Sequence, residues 1–295
     1  MPPSEPWTIG RLLQWTVDYL KQRGADAPRL YAEVLLAHAL GCRRIDLYTR
    51  FDETPAEQAR AAFRDLVQKR AAGTPVAYLV ERREFFSLSF RVSPAVLIPR
   101  PETELLLVAL LDLVKQRPGG GPPEIADVGT GSGILAVAAA KHLPSARLTA
   151  TDISPAALAI ARANAEEHGV AGRIEFLLGD LLEAVPAERR FDFILSNPPY
   201  VSEAELQRLP REVKDHEPRA ALVAGPRGTE VIERLVPQAA GRLREGGHLL
   251  LEISPTIHEA AAAILAAERR LEPASTLRDL ARLPRVLVAR RLRDA

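Results

Sequence analysis

The sequence predicts an α/β protein in which a mostly parallel sheet follows a small helical domain. Up to about residue 75, apolar residues recur at helical spacing and the helix ends are marked by caps and glycines. After residue 123, apolar strand-like runs alternate with helical segments, which is typical of a parallel sheet covered on both faces. The seven strand candidates are 124–128, 147–151, 173–177, 191–195, 248–253, 271–276 and 285–289. A length of 295 residues is compatible with two domains.

The helical part carries its own start and stop signals. Its predicted helices are 8–23 after a Thr8 cap, 29–40 before Gly41, and 54–72. In the last of these, Thr54 and Glu57 have the spacing of a capping box, with Pro55 at the first helical position. No group of charged residues here suggests catalysis. Residues 1–80 are therefore predicted to form a helical substrate-docking domain.

A strand-like segment separates the helical part from the sheet. Apolar residues alternate with polar ones between residues 84 and 92, and Pro94 follows. The residues on the apolar face are Phe86, Leu88, Phe90 and Val92. We expect one strand here, within a strand-rich linker at 81–100, followed by the α/β domain at 101–295. Residues 117–123, rich in glycine and proline, are expected to form an exposed connection.

Composition and charge exclude several classes of protein. Lys and Arg number 39 against 38 Asp and Glu, so the net charge of +1 gives no general affinity for nucleic acid, although a local basic patch stays possible. Cys42 is the only cysteine, which excludes an intramolecular disulfide, and the six histidines lack metal-binding spacing. The first residues have neither the basic start nor the apolar run of a secretory signal, and no apolar run approaches the roughly 20 residues that a membrane span needs. We expect a cytoplasmic protein without a metal.

A glycine-rich loop follows the first strand of the predicted sheet and opens a helix. Its central residues are Gly129, Thr130, Gly131, Ser132 and Gly133, preceded by Asp127. Glycines let a ligand approach the backbone, and the helix N-terminus offers free N–H groups. The segment also fits the G-x-G-x-x-A pattern of dinucleotide-binding proteins, so the glycine spacing alone does not choose between cofactors.

Acidic residues follow the next two strands. Asp152 comes 23 residues after Gly129, where a carboxylate can accept hydrogen bonds from ribose hydroxyls. It could instead cap the next helix, although Ser154 is better placed for that. Asp180 and Leu181 follow the third strand, where they could meet the amine and the face of an adenine ring, or simply form a polar turn.

The segment Asn197, Pro198, Pro199 and Tyr200 closes the fourth strand. Two prolines fix the backbone and remove N–H donors, so nearby carbonyl oxygens stay free to accept. The Asn197 side-chain oxygen and the Pro198 carbonyl can both accept from one planar NH₂ group, while the Tyr200 ring stacks on its face. Such a site suits an amide or an aminopurine nitrogen.

Together these motifs resemble class I S-adenosylmethionine-dependent methyltransferases that act on a planar nitrogen, and among them the release factor glutamine N5-methyltransferase family. The segments that carry the narrower resemblance are F-F-S-L at 85–88, I-P-R-P-E-T-E at 98–104, N-P-P-Y-V at 197–201, H-E-P-R-A-A-L at 216–222, R-D-L at 278–280 and the strand at 285–288. They span nearly the whole chain. The pairing of R-P-E-T with N-P-P-Y is the most specific part.

The resemblance implies a Rossmann-like seven-stranded methyltransferase domain, with S-adenosylmethionine as methyl donor. The substrate would be the glutamine of the Gly-Gly-Gln motif in class I peptide chain release factors, with no direct nucleic-acid or membrane partner. The residues implied to hold the cofactor are Gly129, Thr130, Gly131, Ser132, Gly133, Asp152, Asp180, Leu181 and Asn197. Asn197, Pro198, Pro199 and Tyr200 would hold the glutamine, with Asn197, Pro198 and Tyr200 acting in direct transfer that needs no metal.

The chain departs from the family pattern in two places. Ser254 and Ile257 stand where a glycine and a glutamine are frequent, and Arg227 stands where an aspartate is common. None of them replaces an expected ligand. His216, in the segment after N-P-P-Y, is expected to have a structural role rather than to transfer protons.

Three other functions are open at the level of sequence. A nucleic-acid base methyltransferase could hold a flipped adenine or guanine amino group in the same N-P-P-Y site. The related activity on a ribosomal protein glutamine is disfavoured by the intact R-P-E-T segment. A non-catalytic cofactor-binding or docking protein is disfavoured by the complete set of motifs.

Overall fold

The computed structural model of the chain describes residues 6–117 and 121–293, apart from the side chain of residue 274. The chain forms two units, Met1–Arg82 with Arg211–His216, and Arg83–Pro210 with Glu217–Ala295. The predicted exposed connection at 117–123 lies partly outside the described residues.

The first unit is helical. Its helices before residue 83 are α1 (Ile9–Gln22), α2 (Pro28–Leu40), α3 (Asp46–Thr49), α4 (Glu57–Ala71) and α5 (Val76–Leu79). The predicted caps of the first two are confirmed: the Thr8 hydroxyl accepts from the Arg11 backbone N–H at 3.3 Å, and Gly41 ends α2 in the left-handed conformation. Apolar residues of α1, α2 and α4 form its buried core.

The predicted capping box at the start of α4 is wrong. The helix begins at Glu57, and its cap is Ala56, whose backbone is extended (φ −56°, ψ 149°) and which makes no side-chain cap hydrogen bond. Thr54 therefore precedes the cap by two residues, too far from the first helical N–H groups. The Glu57 carboxylate instead pairs with Arg60 within the first turn.

The predicted strand at 84–92 is a hairpin. Its strands are β1 (Arg82–Phe85) and β2 (Leu88–Arg91), joined by Phe86 and Ser87 at φ 49° and 59°. A two-residue turn with both residues at positive φ matches the twist of a hairpin. The Phe86 backbone N–H donates to the Glu104 carboxylate at 2.9 Å, which ties down the turn.

This turn changes which residues are buried. Phe85 and Phe90 are enclosed in the core of the second unit, whereas Phe86 is only partly buried against it. Residues 83–100 therefore belong to the second unit, and a strand-rich linker at 81–100 stays a prediction.

The second unit is built around a sheet. The remaining strands are β3 (Glu124–Val128), β4 (Arg147–Asp152), β5 (Ile174–Leu178), β6 (Phe191–Ser196), β7 (Val201–Ser202), β8 (Val223–Gly225), β9 (Leu243–Glu252), β10 (Leu271–Arg278) and β11 (Pro284–Arg291). The remaining helices are α6 (Glu104–Gln116), α7 (Ile134–His142), α8 (Pro155–Glu167), α9 (Glu203–Leu206), α10 (Arg211–Lys214, in the first unit), α11 (Arg219–Leu222), α12 (Glu230–Arg242) and α13 (His258–Ala267). Short 3₁₀ turns occupy Pro101–Thr103, Ala171–Arg173 and Pro255–Ile257.

All seven predicted strands lie in one sheet of order β10-β11-β9-β6-β3-β4-β5. The strands from β9 to β5 run parallel, and β11 and β10 add antiparallel pairs at one edge. The central strands are buried on both faces: Ile125 and Phe193 pack into one core, whereas Ala126 and Ile194 pack into the other. The predicted α/β architecture is confirmed, and the carboxyl ends of β3, β4 and β6 meet at one edge of the sheet, which is where ligands bind in this architecture.

Within the two described ranges, no helix combines the length and the apolar content that crossing a membrane requires.

Candidate active site

The glycine loop turns sharply because each of its three glycines has a positive φ. Gly129, Gly131 and Gly133 have φ values of 74°, 56° and 81°, a region that favours glycine. The backbone N–H groups of Gly129 and Thr130 both donate to the Thr151 carbonyl at 2.9 Å, which fixes the loop to β4. A Cβ on Gly133 would lie 3.0 Å from the Ala161 Cβ, so α8 packs directly against the start of α7.

Asp127 stabilises this loop through hydrogen bonds. Its Oδ2 accepts from the Thr130 hydroxyl at 2.6 Å and from the Ala136 backbone N–H at 3.1 Å. The side chain is fully buried, and this burial raises the pKa of Asp127 to about 6. Asp127 thus acts as a structural acceptor that joins the loop to α7.

Asp152 ends β4 and holds the middle of the loop. Its Oδ2 accepts from the Gly131 N–H and its Oδ1 from the Ser154 N–H, each at 2.9 Å. The Ser154 hydroxyl accepts from the Ala157 N–H at 3.2 Å and caps α8, so the capping role belongs to Ser154 as expected. The two Asp152 oxygens keep further lone pairs for a ligand.

A buried amide connects the hairpin with the glycine loop. Asn164 Oδ1 accepts from the Arg91 N–H at 2.7 Å, and its Nδ2 donates to the carbonyls of Arg91 and Ser132 at 3.0 and 2.8 Å. Three backbone groups from two distant segments are satisfied by one side chain. The sequence analysis did not identify this residue.

A cavity of about 400 Å³ opens beside the loop, a volume typical of small-molecule sites. The predicted site residues that line it are Gly129, Thr130, Gly131, Ser132, Asp152, Asp180, Leu181, Asn197 and Pro199. The structure therefore brings most of the expected cofactor ligands to one place. Ile153, which follows Asp152, also lines the cavity and is 63% exposed. Its apolar character after an acidic strand end could have identified it as a cover for a ring.

Gly133, Pro198 and Tyr200 are not among the described residues that line the cavity. Gly133 is buried at the start of α7, and Pro198 is buried as well. Tyr200 packs against the core formed by β6, β9 and α12. Burial and the neighbouring Glu252 charge raise the pKa of Tyr200 above its usual value, so its phenol is neutral.

The Asp180 carboxylate already interacts with a basic side chain of the protein. Its Oδ2 forms an ion pair with Arg234 of α12, and both residues line the cavity. Only part of this carboxylate is left to meet an exocyclic amine.

The nitrogen and the oxygen of the Asn197 side-chain amide have different surroundings. Its Nδ2 donates to the Thr103 hydroxyl at 3.3 Å. Its Oδ1 is buried and accepts no hydrogen bond from the residues that the structure describes. A buried acceptor without a partner is costly, so this oxygen would be stabilised by any donor that reaches it. The preceding Ser196 hydroxyl donates to the Val128 carbonyl at 2.7 Å and links β6 to β3.

The backbone after N-P-P-Y is held by a short parallel pairing of β7 with β8. Gly228, at φ 84°, approaches the Tyr200 carbonyl so closely that a Cβ there would lie 2.7 Å from it. The G-x-R-G segment thus keeps Tyr200 in place through its backbone.

Two further buried carboxylates, which are not among the described residues that line the cavity, were missed as individual residues. The Glu217 carboxylate, with its side chain only 1% exposed, accepts from Arg100 and from the Ile98 N–H at 3.1 Å. Glu252 ends β9 and is 2% exposed. Glu217 lies in the H-E-P-R-A-A-L segment that carries the family resemblance, but only the fold shows which residues it contacts.

The departures from the family pattern have local partners. Arg227 forms ion pairs with Glu230 and Glu233 at the start of α12. The Ser254 hydroxyl lies 2.6 Å from the Thr256 hydroxyl, and Ile257 is buried in the core. His216 belongs to the first unit, where its Nε2 lies 3.6 Å from the position of a Cβ on Gly73.

The fold and this site define a methyltransferase of the doubly wound class. A fold likeness is found with the T. thermophilus 16S rRNA N2 G1207 methyltransferase in complex with AdoMet and guanosine, at a TM-score of 0.51, 22% identity and coverage of 71% of this chain and 49% of that one. A methyltransferase from Pyrococcus furiosus aligns with a TM-score of 0.50, 18% identity and coverage of 78% and 98%. These likenesses concern the fold alone.

The family is shown by sequence. Residues 11–80 match the PrmC N-terminal domain, and residues 103–213 match the Methyltransferase small domain. The release factor glutamine methyltransferase of Rhodopirellula baltica is 51% identical over 253 residues, which cover 85% of this chain and 86% of that protein. The protein of the same name from Koribacter versatilis is 40% identical, with coverage of 96% and 99%. The chain belongs to the release factor glutamine methyltransferase family, and the predicted resemblance is confirmed.

Proposed function

We propose that this protein transfers a methyl group from S-adenosylmethionine to the side-chain amide nitrogen of the glutamine in the Gly-Gly-Gln motif of class I peptide chain release factors. Family membership supports the reaction and the substrate. The observation that carries the assignment is Asn197, which lines the same cavity as the glycine loop and whose buried Oδ1 accepts no hydrogen bond from the part of the chain that the structure describes.

The residues present fit the cofactor. The glycines let a ligand approach the loop backbone, the Asp152 carboxylate supplies acceptors for a ribose, and the apolar Ile153 supplies a cover for an adenine ring. In this proposal Gly129 to Gly133, Asp152, Asp180, Leu181 and Asn197 hold the cofactor, with Gly133 acting through the loop's shape. S-adenosylmethionine, when bound, supplies a methyl group on a positively charged sulfur.

The amide nitrogen of glutamine is a weak nucleophile because its lone pair is delocalised into the carbonyl group. Asn197 Oδ1 and the Pro198 carbonyl accept from its two N–H groups and orient the lone pair towards the methyl group. Acceptors fixed in a low-dielectric site also stabilise the positive charge that develops on this nitrogen. An N–CH₃ bond forms as the S–CH₃ bond breaks and leaves a neutral thioether, and one amide N–H gives its proton to solvent water.

Tyr200 contributes through its position in the core. Its packing and its close contact with Gly228 hold the N-P-P-Y backbone, while stacking on the glutamine amide stays a prediction. A neutral phenol does not compete with the amide for a proton.

A cytoplasmic location and the absence of direct nucleic-acid or membrane binding belong to this proposal as well. Release factors act on ribosomes, and a near-neutral chain has little general attraction for nucleic acid. Methylation of a nucleic-acid base is the rival activity, and the family of the relatives disfavours it.

The test is a methyl-transfer assay with labelled S-adenosylmethionine. Unmodified release factor, a release factor with alanine in place of the Gly-Gly-Gln glutamine, and DNA are offered in parallel, followed by peptide mass mapping. We expect label on that glutamine alone, lost with Asn197→Ala and retained with Gln207→Ala, a substitution of an exposed side chain outside the cavity. Label on DNA alone would overturn the proposal.

A further inference from the structure

We propose that the β10–β11 tip, residues 279–283 with Leu280 at its centre, contacts the substrate protein next to the glutamine that is methylated. Its role deepens the proposed function and rests on it for the identity of that protein. The R-D-L segment at 278–280, which leads into the tip, is not among the described residues that line the cavity. The contact is therefore one with the substrate chain outside the cavity.

The strand order separates the tip from the cofactor residues. The glycine loop, Asp152 and Asp180 follow β3, β4 and β5, so they occupy one half of the carboxyl edge of the sheet. Asn197 follows β6, and β9, β11 and β10 continue the sheet on its other side. A protein chain that brings an amide to Asn197, while the cofactor fills the first half, has β9, β11 and β10 as its free approach along this edge.

The strand register places the tip at the same edge. Ser196 at the end of β6 pairs with Leu251, and Val286 near the start of the antiparallel β11 pairs with Glu252. The chain before Val286 therefore projects beyond the carboxyl ends of the parallel strands. Only β9 lies between β6 and β11, which corresponds to about 10 Å across the sheet. An extended substrate chain covers that distance in about three residues.

Polar contacts connect the tip with Asn197. The Asp279 carboxylate accepts from Arg285 Nε at 2.8 Å. Arg285 also forms an ion pair with Glu102 at 3.7 Å. Glu102 precedes Thr103, whose hydroxyl oxygen accepts from Asn197 Nδ2 at 3.3 Å. The tip is thus joined to the candidate active site through three neighbouring contacts.

The tip is ordered by hydrogen bonds of its own. The Asp279 N–H donates to the Leu283 carbonyl, and the Arg282 N–H donates to the Asp279 carbonyl, each at 2.9 Å. The Leu283 N–H donates to the Asp279 carboxylate, and Arg278 Nη1 donates to the Arg282 carbonyl, also at 2.9 Å. A surface that is already ordered loses little entropy when it binds a partner.

Two leucines are exposed on this ordered tip. Leu280 is fully exposed and Leu283 is 42% exposed, and the exposed Arg278 and Arg282 flank Leu280 in sequence. Single exposed apolar side chains are common on protein surfaces, but these two stand together beside the site. Phosphate groups would pair with the arginines and leave both leucines in water. The surface fits an apolar side chain of a protein, with carbonyl or carboxylate groups for the arginines.

The direct test is site-specific crosslinking in the full-length protein. Leu280→p-benzoylphenylalanine places a photoreactive side chain on the tip, and the control is Leu292→p-benzoylphenylalanine. Leu292 is 39% exposed and follows the other end of β11. Unmodified release factor is added with S-adenosylhomocysteine, and the crosslinked peptides are mapped. We expect crosslinks from position 280 within about six residues of the Gly-Gly-Gln glutamine, since the two side chains add to the reach of the backbone.

Three crosslinking results would overturn the inference. They are crosslinks from position 280 to remote parts of release factor only, crosslinks to a second copy of the enzyme only, and equal yields from positions 280 and 292.

Steady-state kinetics gives the second readout. Leu280→Asp should raise the KM for release factor about ten- to one-hundred-fold, because the burial of a leucine against the partner is lost. Since this contact is made before and during transfer alike, kcat should change little. Leu280→Met, which keeps an apolar side chain of similar size, should restore most of the affinity. Leu292→Asp is the matched control and should leave KM largely unchanged.

An unchanged KM in Leu280→Asp, or equal changes in Leu280→Asp and Leu292→Asp, would overturn the inference. The wild-type enzyme separates such a failure from a failure of the proposed function. Methylation of the Gly-Gly-Gln glutamine by the wild type, with both readouts negative at position 280, leaves the proposed function standing without the tip contact. If the wild type labels only DNA or a different protein, the proposed function fails, and the tip contact fails with it because release factor is its named partner.

Discussion

The two halves of the cavity are built in different ways. The glycine-loop half is held by contacts over short sequence distances: Asp127 accepts from Thr130 and Ala136, and Asp152 from Gly131 and Ser154. The Asn197 half is held by residues from distant segments, since 94 residues separate Thr103 from Asn197 and 117 separate Arg100 from Glu217. The contacts of the first half lie within one strand-helix-strand unit, β3-α7-β4, and the two residues that follow it, whereas those of the second half require distant segments to come together.

This difference predicts separate effects of substitution. Changes in the glycine-loop half should weaken cofactor binding, because they alter the backbone that meets the cofactor. Changes in the Asn197 half should slow transfer or weaken substrate binding while cofactor affinity is largely kept. Four substitutions test whether the two halves of the cavity act separately.

Asn197→Ala should have the largest effect. Loss of a fixed polar group that acts on developing charge lowers kcat by about 10²- to 10³-fold. The affinity for S-adenosylhomocysteine, measured by calorimetry, should change far less, because the glycine loop and Asp152 are intact. Equal losses of kcat and cofactor affinity would contradict the separation into two halves.

Glu217→Ala should follow. It removes a buried carboxylate that holds Arg100 and the Ile98 N–H, and Arg100 is 30% exposed, so water compensates in part. We expect a loss of about 2–3 kcal/mol in the free energy of unfolding and a higher KM for release factor, measured by denaturant titration and steady-state kinetics. The matched control is Glu203→Ala, whose ion pair with Arg219 is exposed on both sides; such pairs contribute about 0–1 kcal/mol. A KM that stays unchanged in Glu217→Ala would show that this ion pair does not shape the substrate side.

Gly133→Ala tests the glycine-loop half. The new Cβ would lie 3.0 Å from Ala161 in a backbone with φ 81°, and such strain costs about 1–3 kcal/mol. Cofactor affinity should fall along with stability. Gly24→Ala has a similar φ of 78° but open space around the Cβ, so it should lose some stability and keep cofactor binding. The opposite result, with cofactor affinity retained in Gly133→Ala, would remove the link between this packing and the loop.

The smallest effect concerns pH and Asp127. Burial raises its pKa from 3.8 to about 6 in the folded protein. The folded state therefore binds this proton more tightly than the unfolded state, and its stabilising contribution, full below about pH 4, is lost as the pH rises through about 6. Asp127→Asn should flatten the dependence of the unfolding free energy on pH between 4 and 6, measured by chemical denaturation. If Asp127→Asn instead made the unfolding free energy depend more steeply on pH in this range, the raised pKa of the buried Asp127 would be contradicted.

The sequence was sufficient for the parts of the molecule that depend on local patterns. The seven strands, the Thr8 and Gly41 helix ends and the shape of the glycine loop follow from spacing and residue type. The Phe86-Ser87 turn could not be predicted, because neither residue is one that usually adopts positive φ, and the Glu104 contact that stabilises the turn comes from a later helix. The Glu217–Arg100 ion pair could not be predicted either, since 117 residues separate its partners.

Asn164 couples the β1–β2 hairpin to the glycine loop through hydrogen bonds. The Arg91 backbone N–H donates to the Asn164 side-chain oxygen, and the Asn164 side-chain nitrogen donates to the Ser132 carbonyl in that loop. Exchange of the Arg91 amide hydrogen with solvent requires its hydrogen bond to Asn164 to break. A cofactor that stabilises the loop should therefore also slow hydrogen–deuterium exchange at Arg91. A single backbone position on the hairpin thus becomes a natural reporter of occupancy for a site that it does not line.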